Sequence, residues 1–131
     1  MVGPPPWDSG MSQIERRTIG IVDDDQAVRD SLRFLLEVVG HPVETFASAA
    51  EFLSAERRDL ACLILDHHMP HMSGLQLAEK LHADRSTIPI LLITGSPSPA
   101  IVARAAQLDI SVLEKPPDED GVLDFINAAQ P

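Results

Sequence analysis

Cysteine is nearly missing from this chain, with one in 131 residues, and tyrosine is missing altogether. A single cysteine excludes an intramolecular disulfide framework and fits a reducing compartment, so the expected location is cytoplasmic. Cys62 lies inside an apolar run and reads as an inert core thiol. Basic residues are scarce too: ten Lys and Arg stand against twenty Asp and Glu, a formal charge of −10. The resulting field repels polyanions, which argues against direct nucleic-acid binding. Long hydrophobic runs are also lacking. The longest, Leu60 to Leu65 and Ile88 to Ile93, fall far short of the roughly 20 residues a bilayer span requires, so no membrane role is expected. The opening Met1-Val2-Gly3-Pro4-Pro5-Pro6 has neither the basic start nor the apolar stretch of a signal peptide. The length leaves room for one core of ordinary size.

What is present is an alternation of short apolar runs with longer segments of helical period. Residues 1–17, with three consecutive prolines, two glycines and the sole tryptophan, show neither period and are expected to form a flexible tail before a domain over 18–131. Thr18 to Val22 reads as a strand. Val28, Leu32, Leu35, Leu36 and Val39 then recur on one helical face, with Gly40 as the stop. Val43 to Phe46 is a second strand, and Ser48 with Glu51 resembles a capping box opening a helix over Ala49 to Glu56. Leu60 to Leu65 is apolar throughout, as a parallel strand covered on both faces should be. A helix around Leu75 to Leu81, a strand over Pro89 to Thr94, a helix over Ile101 to Leu108 and a strand over Ile110 to Glu114 follow. A last helix has Asp118 as its N-cap and closes near Ala129. Five βα units of this kind predict an α/β fold: a five-stranded parallel sheet with helices on both faces and a ligand crevice at the carboxyl ends of the strands.

That topology places every residue that immediately follows a strand in the crevice. Strand one is followed by Asp23, Asp24 and Asp25, and strand three by Asp66; strand four ends in Thr94, and Lys115 follows strand five. Taken singly, each has an ordinary reading: solvated turn acids, an N-cap, a surface lysine. Together they set a carboxylate cluster, a hydroxyl and an ammonium at one edge of one sheet. Crowded carboxylates repel and raise one another's proton affinity unless a divalent cation neutralises them, and hard oxygen ligands completed by water and a phosphoryl oxygen suit Mg²⁺.

Four motifs, Ile21-Val22-Asp23-Asp24-Asp25, Leu65-Asp66-His67-His68-Met69-Pro70-His71-Met72-Ser73-Gly74, Ile93-Thr94-Gly95 and Leu113-Glu114-Lys115-Pro116, resemble those of the receiver domains of two-component response regulators. Their order and spacings of 43, 28 and 21 residues between Asp23, Asp66, Thr94 and Lys115 agree with that family. Met-Pro-x-Met-Ser-Gly further resembles the FixJ-like and LuxR-type branch of transcription regulators. The resemblance implies a (βα)5 flavodoxin-like sheet of order 2-1-3-4-5, with Asp66 as phosphoacceptor for a phosphohistidine or small acyl phosphate. It also implies Mg²⁺ held by Asp24 directly, by Asp23 through water, and by Asp66 and the backbone carbonyl of His68. Lys115 would pair with the incoming phosphoryl group and Thr94 would donate its hydroxyl to it, with output as a shift of the fourth helix and fifth strand. Such a domain assists its own phosphorylation and is not a turnover enzyme. A sensor histidine kinase or phosphotransfer protein is the implied partner, with Arg29 and Arg33 on the first helix a candidate contact face. An output domain or partner would lie outside this chain, and homodimerisation through the fourth helix and fifth strand is allowed.

The chain departs from the family at Val112, three residues before Lys115, where an aromatic residue is usual, and in Ser96-Pro97-Ser98-Pro99, which predicts a shorter or stiffer moving segment. These departures keep open a degenerate receiver that acts as an unphosphorylated docking or dimerisation module. A Mg²⁺-dependent phosphatase is the weaker alternative, because His68 stands where its general acid would be a carboxylate. His67, His68 and His71 read as exposed residues on the crevice rim rather than as a transition-metal site, since no cysteine joins them. The resemblance also implies that His68 and Ser96, two residues beyond Asp66 and Thr94, occupy family positions that influence how fast water reaches an aspartyl phosphate.

Overall fold

The computed structural model describes residues 17–57 and 59–129. The expected tail thus lies outside the described residues except for Arg17. Five strands, β1 (Ile19–Val22), β2 (Val43–Phe46), β3 (Cys62–Asp66), β4 (Ile90–Thr94) and β5 (Ser111–Glu114), alternate with five helices. These are α1 (Gln26–Val38), α2 (Ala49–Ala55), α3 (Gly74–Ala83), α4 (Pro99–Gln107) and α5 (Glu119–Ala129). The strands form one parallel sheet in the expected order β2-β1-β3-β4-β5.

Side chains alternate across the sheet with the two-residue period of a strand. Ile19, Ile21, Cys62, Ile64, Leu91 and Ile93 pack under α1 and α5 through Leu32, Leu36, Val122 and Ile126. Val22, Leu63, Leu65, Ile90 and Leu92 face the other way, against Phe52 of α2 and Leu77, Ala78 and Leu81 of α3. Phe46 closes that layer edge-on to Phe52, with centroids 5.2 Å apart. Cys62 is fully buried, and burial pushes its thiol pKa up to about 12. It is the inert core thiol expected.

The local signals explain most boundaries and correct several. Gly40, at φ 94°, takes the left-handed turn that ends α1, and its N–H bonds the Glu37 carbonyl at 3.0 Å. Ser48 caps α2 as expected, accepting from the Glu51 N–H at 3.0 Å, but the Glu51 carboxylate reaches back to the Ala47 N–H rather than to that of Ser48. The complete reciprocal box opens α3, where Ser73 and Gln76 bond each other's backbone. α4 begins two residues before the predicted start, because Ser98 caps it and Pro99 fits its first turn. β3 is shifted two residues onward from Leu60, so that Asp66 is the last residue of the strand itself. No helix among the described residues is long and apolar enough to cross a membrane.

Candidate functional site

The carboxyl edge of the sheet gathers the predicted groups. Asp23 follows β1 and its N–H still bonds Phe46 at 3.1 Å, so the strand direction fixes its side chain. It is 4 % exposed, and its Oδ1 accepts the Asp25 N–H at 2.8 Å. Asp66 pairs in register with Ile93 and is equally buried. Asp24 is exposed. Carboxylate oxygens of Asp23, Asp24 and Asp66 all lie within 4.8 Å of one another.

Asp25 belongs to the local structure instead. Its carboxylate caps α1, accepting from Ala27 and Val28 at 2.9 and 3.4 Å. The acidic run Asp23 to Asp25 therefore divides into two groups for the crevice and one for the helix.

Lys115, immediately after β5, sends its ammonium to Asp66 Oδ1 at 2.6 Å. Its backbone N–H bonds the Thr94 carbonyl at 2.9 Å, extending the β4–β5 ladder past the strand end, and the Lys115–Pro116 peptide is cis. Thr94 is fully buried at the end of β4, and the Ser96 N–H donates to its hydroxyl at 3.2 Å.

Burial is the largest influence on Asp23 and raises its carboxyl to about 6, helped by the neighbouring charges of Asp66 and Asp24 and opposed by the Asp25 N–H and Lys115. Burial alone would lower Lys115, but its hydrogen bond to Asp66 and the three surrounding carboxylates outweigh it, and the ammonium is held above its ordinary value. Three oxygen donors crowded this closely, one of them reluctant to ionise, fit a hard divalent cation. They offer nothing to a thiophilic one.

The β3–α3 loop is fixed against this edge. The His67 N–H bonds Ile93, and the His67 carbonyl accepts from both Met69 and Gly74, at 2.9, 3.1 and 3.1 Å. Any Cβ on Gly74 would lie 2.3 Å from the Asp66 carbonyl oxygen, so only glycine lets α3 start this close to the strand end.

His67, His68 and His71 do not form a ligand group among the described residues. His68 and His71 are on the exposed rim as expected, whereas His67 is half-buried, with Nδ1 enclosed and unpartnered and its pKa lowered by burial first and by His68 next. Two contacts escape sequence reasoning. Arg29, read as a partner-facing residue, donates from Nη1 to the Asp23 carbonyl at 2.6 Å. The His68 ring reaches Thr94, with Nε2 3.3 Å from Oγ1. Arg29 stands one turn past the Asp25 cap, a placement that could have pointed back at the strand end; nothing in the sequence marks the His68 contact. Val112 is half-buried against the layer under α2 and α3.

The family described as response regulator receiver domain matches residues 19–127. The transcriptional regulatory protein FixJ of Bradyrhizobium diazoefficiens is 36% identical over 113 residues, covering 85% of this chain and 55% of FixJ. Among solved structures, the response regulator StyR superposes with a TM-score of 0.79 at 41% identity, covering 86% of this chain and 58% of StyR. The crystal structure of FixJ-N gives 0.77 at 33% identity over 86% of this chain and 92% of that one. The chain spans about half the length of the curated relatives it matches.

Proposed function

Because this chain belongs to the receiver domains of two-component response regulators, in their FixJ-like branch, we propose that it takes a phosphoryl group onto Asp66 from a sensor histidine kinase or phosphotransfer protein in the cytoplasm and relays it by a change of conformation. Residues 18–131 would be that domain and residues 1–17 a tail. The observation that carries the reading is the Lys115 ammonium 2.6 Å from Asp66 Oδ1, at an edge where Asp23 and Asp24 bring two more carboxylates.

Asp23, Asp24 and Asp66, with the backbone carbonyl of His68, would hold Mg²⁺, which supplies neutralising charge between the carboxylates and the phosphoryl oxygens. Lys115 and the His68 N–H both address Oδ1 of Asp66, at 2.6 and 3.4 Å, which leaves Oδ2 to attack phosphorus. The new bond is Asp66 Oδ2 to phosphorus; the bond that breaks joins phosphorus to the donor's imidazole nitrogen or acyl oxygen. Phosphoryl transfer asks a protein mainly for position and charge, and the buried Asp66 with its ammonium partner supplies both. Lys115 then follows the charge onto the phosphoryl oxygens, and Thr94 donates its hydroxyl to one of them. Output passes to the α4–β5 region, and from there to an output domain or separate partner outside this chain. Self-modification of this kind is not turnover, so the protein is not an enzyme in the ordinary sense.

The unmodified docking module, the alternative left open by Val112, loses ground to the same contacts: such a module has no use for a buried Asp66 paired with Lys115. Incubation with Mg²⁺ and acetyl phosphate, followed by intact mass, tests the choice. One phosphoryl adduct is expected on the wild type and none on Asp66→Asn or after chelation. An adduct that survives Asp66→Asn, or none on the wild type with either acetyl phosphate or a cognate kinase, overturns the proposal.

A further inference from the structure

The Thr94 hydroxyl has one proton to give and two lone pairs to offer. The Ser96 N–H fills one lone pair, at 3.2 Å. What remains faces the His68 imidazole, with Nε2 3.3 Å from Oγ1, and no hydrogen bond joins the hydroxyl to Asp66 or Lys115 among the described residues. His68 is itself held in place from several sides. Its N–H points at Asp66 Oδ1 at 3.4 Å, and its ring stands edge-on to that of His67, with centroids 5.0 Å apart at 71°. The loop behind it is tied to β4 through the His67 N–H and to the start of α3 through the His67 carbonyl.

We propose that the His68 side chain is a positioning residue, which holds the Thr94 hydroxyl on the loop side of the crevice in the unmodified protein and competes for it with the phosphoryl oxygens of modified Asp66. The inference rests on the phosphoacceptor reading of Asp66. It follows from counting donors. Where Nε2 accepts the hydroxyl proton, that proton is withheld from a phosphoryl oxygen. Where Nε2 carries its own hydrogen, it fills the second lone pair and keeps the oxygen on its own side. In the first tautomer Thr94 gives up one neutral hydrogen bond to reach the phosphoryl group, which lowers the ratio of switched to unswitched protein about two- to tenfold; in the second its proton stays free and only the position of the oxygen is restrained. The residue that places its N–H on the phosphoacceptor thus also restrains the group that reports the modification.

His68 is exposed, so it can be replaced without opening the core. The test uses the full chain, isotopically labelled, as wild type, His68→Ala, His68→Phe and His68→Gln. Phenylalanine keeps a ring without a nitrogen; glutamine keeps a polar terminus without a ring. In the unmodified proteins the Thr94 methyl and Ser96 amide resonances report the tether. After Mg²⁺ and acetyl phosphate, with the adduct counted by intact mass, the amides of residues 111–115 report the ratio of switched to unswitched modified protein. The expected result is that His68→Ala and His68→Phe both move the Thr94 and Ser96 signals and raise the ratio about two- to tenfold, while His68→Gln stays near the wild type. Phenylalanine behaving as the wild type, or an adduct with the same ratio in all four proteins, overturns the competition alone. No adduct on the wild type overturns the reading of Asp66 and the competition with it.

Discussion

β3 and β5 lie two places apart in one sheet and lead to the two groups that meet, Asp66 at the end of one and Lys115 just past the other, yet they are built differently. All five residues of β3 are buried, with neighbours on both sides, and Asp66 at its end is locked by the backbone of the β3–α3 loop and by the close approach of Gly74. β5 is an edge strand, paired with β4 alone among the described residues; its Ser111 and Glu114 are exposed and its Val112 and Leu113 half-buried. The helix before it, α4, buries Ala105 alone among its own residues. Lys115 tolerates such an origin, because a four-carbon stem can still deliver an ammonium to a fixed carboxylate. The stiff element holds the buried carboxylate, and the looser one supplies only its counter-charge. That division leaves the looser half of the sheet free to be rearranged without disturbing Asp66.

The largest expected effect breaks the contrast at its hydrophobic base. Leu65→Ala, in β3, should lower the unfolding free energy by about 3 kcal/mol, and Leu113→Ala, in β5, by about 1 kcal/mol, in chemical denaturation. Equal losses would mean that the two strands are held alike.

Next comes the electrostatic cost carried by the stiff half. The folded protein binds the Asp23 proton more tightly than the unfolded chain, with a pKa of about 6 against 3.8. Its contribution to stability is therefore fully present below about pH 3.8 and is lost as pH rises through about 6. With divalent cations chelated, Asp23→Asn should remove this fall and be more stable than the wild type at pH 7.5 by about 2 to 3 kcal/mol. Parallel stability–pH curves for the two proteins between pH 4 and 7 would contradict the assignment. Added Mg²⁺ should narrow the gap by stabilising the wild type.

The smallest effect sharpens the contrast on the loose side. Glu79 of α3 accepts from Arg104 Nε of α4 at 2.8 Å, a contact half open to water. Glu79→Gln should cost no more than about 0.5 kcal/mol globally, while hydrogen exchange over residues 99–107 quickens and that of β3 does not change. Unchanged exchange in α4 would show that something other than this pair holds it down.

Most of the frame was legible in the sequence because its signals are local. Apolar runs of four to six residues, helical period and Gly40 settle the element order, and the rule of strand ends brings Asp23, Asp66, Thr94 and Lys115 to one edge before any coordinate is known. The less legible part depends on directions that the sequence does not encode. Asp23, Asp24 and Asp25 look equivalent in print, but consecutive residues leaving a strand point to different sides, and the third falls where α1 needs a cap. The Ser48 box misdirects for a similar reason: its serine is right, while the glutamate reaches one residue too far back. Gly74 stands in the sequence only as the end of a matched motif, and the 2.3 Å approach to the Asp66 carbonyl oxygen supplies its physical reason. His68 and Thr94 are 26 residues apart, and only the folded loop makes them neighbours.

Cys62 gives the stiff strand a further use. It is the single thiol of the sequence, it lies at the start of β3 with no exposed surface, and its pKa is pushed up to about 12. Alkylating reagents consume thiolate that solvent can reach, so in native buffer they must wait for β3 to leave the sheet. The protein therefore carries a built-in clock: slow alkylation counts the openings of its central strand, in the presence or absence of a phosphoryl donor, without any label being introduced.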